Sequence, residues 1–117
     1  MTSTNVTVFR APTADDPVLA EMVHRLVEVY QPERIFLFGS VARAEAGPDS
    51  DYDLMVVVPD DAAPERQRSR AGYRAVRHLG AARDILVSRA SDFRRQLHLK
   101  ASFPSMVVRE GIVLYGA

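Results

Sequence analysis

Residues 51–58, Asp-Tyr-Asp-Leu-Met-Val-Val-Val, constrain the fold more than any other stretch of this 117-residue chain. The apolar, largely β-branched run bounded by Pro59 predicts a strand over 52–58. Side chains alternate between the faces of a strand, so Asp51 and Asp53 share one side and Tyr52, Leu54, Val56 and Val58 the other. Two carboxylates cannot both enter an apolar core without a heavy desolvation cost. They also repel each other unless a cation sits between them. A divalent, oxygen-seeking ion such as magnesium suits them, because it favours carboxylates together with phosphate oxygens.

The neighbouring segments surround that strand with alternating elements. Asp16 followed by Pro17 marks a helix start, an N-cap carboxylate and then proline at the first helical position. Leu19, Met22, Val23, Leu26, Val27 and Tyr30 recur at helical spacing, and Pro32 stops the helix. Residues 34–38 read as a buried strand broken by Gly39 and Ser40, and 41–45 as a short helix ended by Gly47 and Pro48. An arginine-rich helix is predicted over 64–79, ending near Gly80, and a third strand over 82–87. Ser91 is expected to cap a helix running to about Lys100. A short helix follows over 102–110, closed by Gly111, and a last strand over 112–115. The order predicts an α/β (α+β) fold, a mixed β-sheet flanked by helices. Residues 1–16 are expected to form a polar N-terminal arm, and 17–117 a single small domain. Within the arm, the alternation of Val6, Thr7 and Val8 fits a short edge strand as well as a loose segment.

The absence of cysteine excludes disulfides and thiolate metal sites. No apolar stretch approaches the ~20 residues of a membrane span, and the start does not read as a signal peptide, so a cytoplasmic protein is expected. His24, His78 and His98 stand apart, with no metal-ligand spacing on one helix. Net charge is zero but unevenly spread. Residues 1–61 hold eleven acidic and four basic side chains, and 62–117 hold four acidic and eleven basic. Such asymmetry fits contact with a polyanion or a complementary partner, and it equally fits solvated helix faces. The arginines Arg66, Arg68, Arg70, Arg74 and Arg77 carry the same two readings, a solvated face or contact with an acidic partner or RNA phosphates.

A third carboxylate interrupts the strand at 82–87. Asp84 lies opposite in face to Ile85 and Val87, so pairing of the two strands would bring three carboxylates to one patch. Such a patch can hold two metal ions ~3.5–4 Å apart for in-line attack on a phosphate. Gly39 and Ser40 suit the other half of that chemistry. Glycine permits a tight turn and close backbone approach to a ligand. Backbone N–H groups opening the next helix, the Ser40 hydroxyl and the Arg43 guanidinium can all hold phosphate. The segment is neither a P-loop nor a dinucleotide fingerprint.

Gly39-Ser40, ten further residues and then Asp51-Tyr52-Asp53 resemble the signature of the DNA polymerase beta nucleotidyltransferase superfamily. The stretch IFLFGSVARAEAGPDSDYDLMVVV is similar to its small members, the minimal nucleotidyltransferases, and the likeness extends through RDILVS into REGIVLY. The resemblance implies that Asp51 and Asp53 bind both magnesium ions (or manganese). It also implies that Asp84 binds the catalytic ion and helps deprotonate the attacking hydroxyl, and that Gly39 and Ser40 hold the triphosphate. Many relatives carry glycine where this chain has Ala44, a difference that bears on loop geometry rather than on metal binding.

By the same resemblance, the expected activity is transfer of a nucleoside monophosphate, AMP from ATP, to an acceptor. Many relatives pair with a HEPN-domain protein and act as the antitoxin by adding AMP to it. Alternatives are a non-catalytic antitoxin that neutralises a HEPN partner by binding, and transfer to a small molecule or to transfer RNA. Larger relatives have an extra helical domain that grips base and acceptor. A chain without one is expected to complete its acceptor site with a partner or a second copy, as a complex or homo-oligomer.

Overall fold

In a computed structural model, residues 16–39, 51–80 and 83–116 are described. Four strands form one mixed sheet: β1 (Arg34–Phe38), β2 (Tyr52–Val58), β3 (Arg83–Arg89) and β4 (Ile112–Tyr115). Their spatial order is β3-β2-β1-β4. β1 lies antiparallel to both β2 and β4, whereas β2 and β3 run parallel. The parallel pair requires a crossover, which the helical segment between them supplies.

Helix α1 (Pro17–Tyr30) begins as its sequence predicts. Asp16 stays extended, and its Oδ1 accepts the Leu19 N–H at 3.0 Å. At the other end Gln31 adopts a left-handed conformation, φ 48°, and donates its N–H to the Val27 carbonyl. Pro32 then prevents continuation.

The 64–79 segment departs from the single helix expected. A 3-10 turn at Pro64–Gln67 is followed by Arg68 in extended conformation, then α2 (Ser69–Val76), then a second 3-10 turn at Arg77–Leu79. The break has a tertiary cause. The Tyr30 hydroxyl donates to the Arg68 carbonyl at 2.6 Å and accepts the Gly72 N–H at 2.8 Å. Those two backbone groups are thereby satisfied from α1 rather than within a longer helix. A side chain at residue 72 would press on the Tyr30 ring and on Leu26, so glycine lets the two helices meet.

The third strand spans Arg83–Arg89 rather than 82–87, and residues 81–82 lie outside the described set. Helix α3 (Ala90–Arg95) also differs from expectation. Ser91 sits inside it rather than capping it, and the helix ends at Arg95 rather than near Lys100. The capping acceptor comes from a distant loop, because Asp60 Oδ1 takes the Ser91 N–H at 2.8 Å. Residues 96–102 instead form successive turns, Leu97 N to Arg94 O, Leu99 N to Gln96 O and Ser102 N to Leu99 O. Helix α4 (Phe103–Glu110) follows, with Ser102 as N-cap and Gly111 as C-cap.

Both faces of the sheet are covered. Ile35, Leu37, Leu54, Val56, Val58, Ile85 and Leu114 join Leu19, Met22, Val23, Leu26, Tyr30 and Val76 in one core beneath α1 and α2. Phe36, Phe38, Met55 and Val57 join Ala90, Phe93 and Val107 in a second core beneath α3 and α4. Phe36 stacks on Phe93 at 5.6 Å, and Phe38 meets Phe103 edge to face at 5.3 Å. Cover is thinnest over the edge strand β3, where Leu86 remains 40% exposed. No helix among the described residues is long and apolar enough to cross a membrane.

Candidate functional site

The sheet register brings two of the three singled-out carboxylates side by side. Asp53 and Asp84 are each the second residue of their strand, and they are direct partners across the parallel β2–β3 pair. By alternation both lie on the α3/α4 face, since Leu54 and Ile85 next to them belong to the opposite core. Asp53 is half-buried and Asp84 exposed. Asp51 lies one residue ahead of β2 and is exposed. Among the described residues, no three acidic or histidine side chains gather closely enough to hold an ion.

Across β2 from Asp84 stands β1, where Phe38 is the register partner of Asp53. Gly39 follows it with φ 77°, a left-handed conformation that disfavours residues with a side chain. A Cβ there would collide with Asp53 Oδ2. Glycine is thus required twice over, by its backbone angle and by the carboxylate lying against it. Ser40 and Arg43, the other residues expected to hold phosphate, lie outside the described residues, as does the predicted helix at 41–45.

Two tyrosines brace this end of the sheet, and neither role was legible in the sequence. Tyr52, between the two aspartates, packs against the α1 side. Its hydroxyl donates to Asp16 Oδ2, while Asp16 Oδ1 caps α1. Burial, then the hydrogen bond to Asp16, then the charge of that carboxylate push the Tyr52 phenol up to about 12. Tyr73 on α2 accepts the Ile85 N–H at 3.0 Å and so holds the backbone beside Asp84. Tyrosine spacing in the sequence carried no signal for either contact, because each spans different elements.

Comparison with protein families decides which family this chain belongs to. Residues 19–114 match the nucleotidyltransferase domain model. The chain belongs to the nucleotidyltransferase family. No curated protein matches it.

Solved structures share the fold of this nucleotidyltransferase. One is a toxin–antitoxin complex with AMP-PNP, 22% identical, TM-score 0.55, matched over 82% of this chain and 72% of the other. Another is a protein of Sulfolobus solfataricus assigned as a nucleotidyltransferase, 18% identical, TM-score 0.55, over 82% and 75% of the two chains. A third is a toxin–antitoxin MntA–HpeT mutant in which two aspartates, separated by one residue, are glutamate; it is 18% identical, TM-score 0.52, over 81% and 71%.

Proposed function

We propose that this nucleotidyltransferase moves AMP from ATP onto a HEPN-domain partner protein and thereby acts as its antitoxin. Asp51, Asp53 and Asp84 hold divalent ions, magnesium or manganese, and Gly39, Ser40 and Arg43 hold the triphosphate. The observation that carries the reading is the register pairing of Asp53 with Asp84 beside the left-handed Gly39. Carboxylate oxygens are the donor type that a hard cation selects. Gathering all three requires rotation of Asp51 and Asp84, which are exposed and free to change rotamer.

A bound divalent ion would offset the charge of the carboxylates and the triphosphate. The chain's own groups do the rest. Gly39 brings its backbone close to the phosphates without a side chain in the way. Asp84 takes the proton of the acceptor hydroxyl. The freed oxygen attacks the α-phosphorus in line, the bond to the bridging oxygen breaks, and pyrophosphate leaves.

Three things support a protein acceptor. Leu86 and Phe103, 40% and 41% exposed, leave an apolar rim near the carboxylates that a protein would cover. The neighbouring structures include a toxin–antitoxin complex with a nucleotide analogue. Another neighbour is likewise a toxin–antitoxin structure, a mutant altered at two aspartates spaced as Asp51 and Asp53 are.

Neutralisation by binding alone is the second reading, favoured by the lack of a gathered carboxylate trio among the described residues. Co-expression with a HEPN-domain partner, pull-down and intact-mass measurement separate the two. A partner carrying one added AMP, lost with Asp53→Asn, is the expected result. A bound but unmodified partner establishes the binding-only reading, and no association refutes both.

A further inference from the structure

The arginines of the α2 region stand out because none of them is in an ion pair among the described residues. Elsewhere arginines meet carboxylates: Arg25 with Glu21 at 3.0 Å, Arg89 and Arg95 with Asp92 at 3.0 and 2.8 Å, and Arg94 with Glu33 at 3.5 Å. Arg68, Arg70, Arg74 and Arg77 are all exposed, and none is in an ion pair among the described residues. Arg66 reaches the neutral Gln31 amide, at 3.2 Å. Glu65 is the sole acidic residue between 64 and 79.

Three of these arginines share one recess. Arg68, Arg70 and Arg74, with Glu65 and Ala71, line a pocket of about 110 Å³. Arg70 and Arg74 are one helical turn apart, so their side chains are neighbours on one face. Their scaffold is anchored, because Tyr30 holds both the Arg68 carbonyl and the Gly72 N–H.

The recess and the candidate carboxylates lie on opposite faces of the sheet, since α2 packs on the core of Leu54 and Ile85 while Asp53 and Asp84 face α3 and α4. β2 advances from Asp53 to Val58 at ~3.3 Å per residue, about 17 Å. The chain then passes from Val58 into the 3-10 turn and α2, so the first turn of α2 lies at the Val58 end. Tyr30, which grips that turn, is the last residue of α1, whereas Asp16 at the start of α1 touches Tyr52 beside Asp53. Triphosphate held near Gly39 therefore does not account for these arginines.

We propose that Arg68, Arg70 and Arg74, flanked by Arg66 and Arg77, bind the phosphodiester backbone of single-stranded RNA. A single carboxylate in the recess would leave like charges crowded and unpaired. Successive phosphodiesters supply one charge per nucleotide, and guanidinium matches phosphate oxygens in a two-bond fork. An arginine-lined recess with a neighbouring arginine on either side follows a strand better than it encloses a compact ion. This inference stands apart from the transfer reaction and does not depend on it.

The test is fluorescence anisotropy of the full chain with a labelled twenty-nucleotide uridine RNA. EDTA is present so that no divalent site contributes, and salt is varied from ~50 to 200 mM. Arg70→Gln with Arg74→Gln is expected to weaken binding about tenfold or more. Losing two phosphate contacts should also flatten the log–log salt dependence by about 1.4, at ~0.7 per contact on a single strand. Arg95→Gln, whose exposed side chain lies on α3, is expected to leave both quantities unchanged. Circular dichroism establishes that the variants fold. No binding by the wild-type chain, or equal binding and slope in the double variant, overturns the proposal. So does a polyglutamate peptide of equal length that binds as tightly as the RNA, which would instead mark a surface for an acidic protein.

Discussion

The Tyr52 hydroxyl donates its hydrogen bond to Asp16 Oδ2, tying the residue between Asp51 and Asp53 to the carboxylate that caps α1. One carboxylate thus serves two elements, a helix start through Oδ1 and the first residue of β2 through Oδ2. Tyr52→Phe removes this bond and leaves the ring in place, so a loss of about 1 kcal/mol in urea unfolding is expected. Asp16→Ala should cost about 1 kcal/mol more, because the Leu19 N–H loses its cap as well. With Tyr52→Phe already present, Asp16→Ala should cost only the cap. Equal losses in both backgrounds would show that the two residues are not coupled.

The same contact sets an alkaline response. The folded phenol titrates at about 12, above its ordinary value of 10. A raised acid constant means that the folded state favours the protonated phenol. The associated stability is fully present below pH 10 and is lost as pH rises through 12. Wild-type protein should lose stability across that window more steeply than Tyr52→Phe. Parallel curves of midpoint against pH would refute the coupling.

Gly39→Ala places a Cβ against Asp53 Oδ2 on a backbone with φ 77°. The left-handed conformation alone costs about 1–2 kcal/mol for a residue with a side chain. The collision with the carboxylate adds to this, and Asp53 has to move. Lower thermal stability is expected together with loss of nucleotidyl transfer. Full transfer activity at unchanged stability would contradict the observed approach of Gly39 to Asp53.

Tyr30→Phe strips a buried hydroxyl from two backbone groups at once, the Arg68 carbonyl and the Gly72 N–H. Each buried group left without a partner costs about 1–3 kcal/mol, so a loss of about 2 kcal/mol or more is expected. Hydrogen exchange should speed up at Gly72 ahead of the core strands, since α2 is held against α1 there. Unchanged protection at Gly72 would refute that role.

The segments whose form follows from local chemistry were legible in the sequence. Asp16 and Pro17 specify a helix start in any context, because an N-cap acceptor and a proline ring act on their own turn. The β-branched run to Val58 and the apolar periodicity of α1 likewise announced their elements. Alternation along β2 and β3 placed Asp53 and Asp84 opposite the α1 core, provided that the two strands paired.

Contacts between residues far apart in the chain were decided by tertiary structure alone. Whether β2 and β3 pair, and in which register, depends on burial of both faces of the sheet. A shift of one residue would have turned Asp84 into the α1 core and Ile85 out of it. The predicted helix over 64–79 was broken by Tyr30, and the expected cap at Ser91 gave way to Asp60, 31 positions away. The contact of Gly39 with Asp53 and the bond from Tyr52 to Asp16 belong to the same class. Local pattern encodes what a residue does within its own turn or strand. It cannot encode which distant partner satisfies a carbonyl, a hydroxyl or a carboxylate, because that choice is made by the packing of the whole domain.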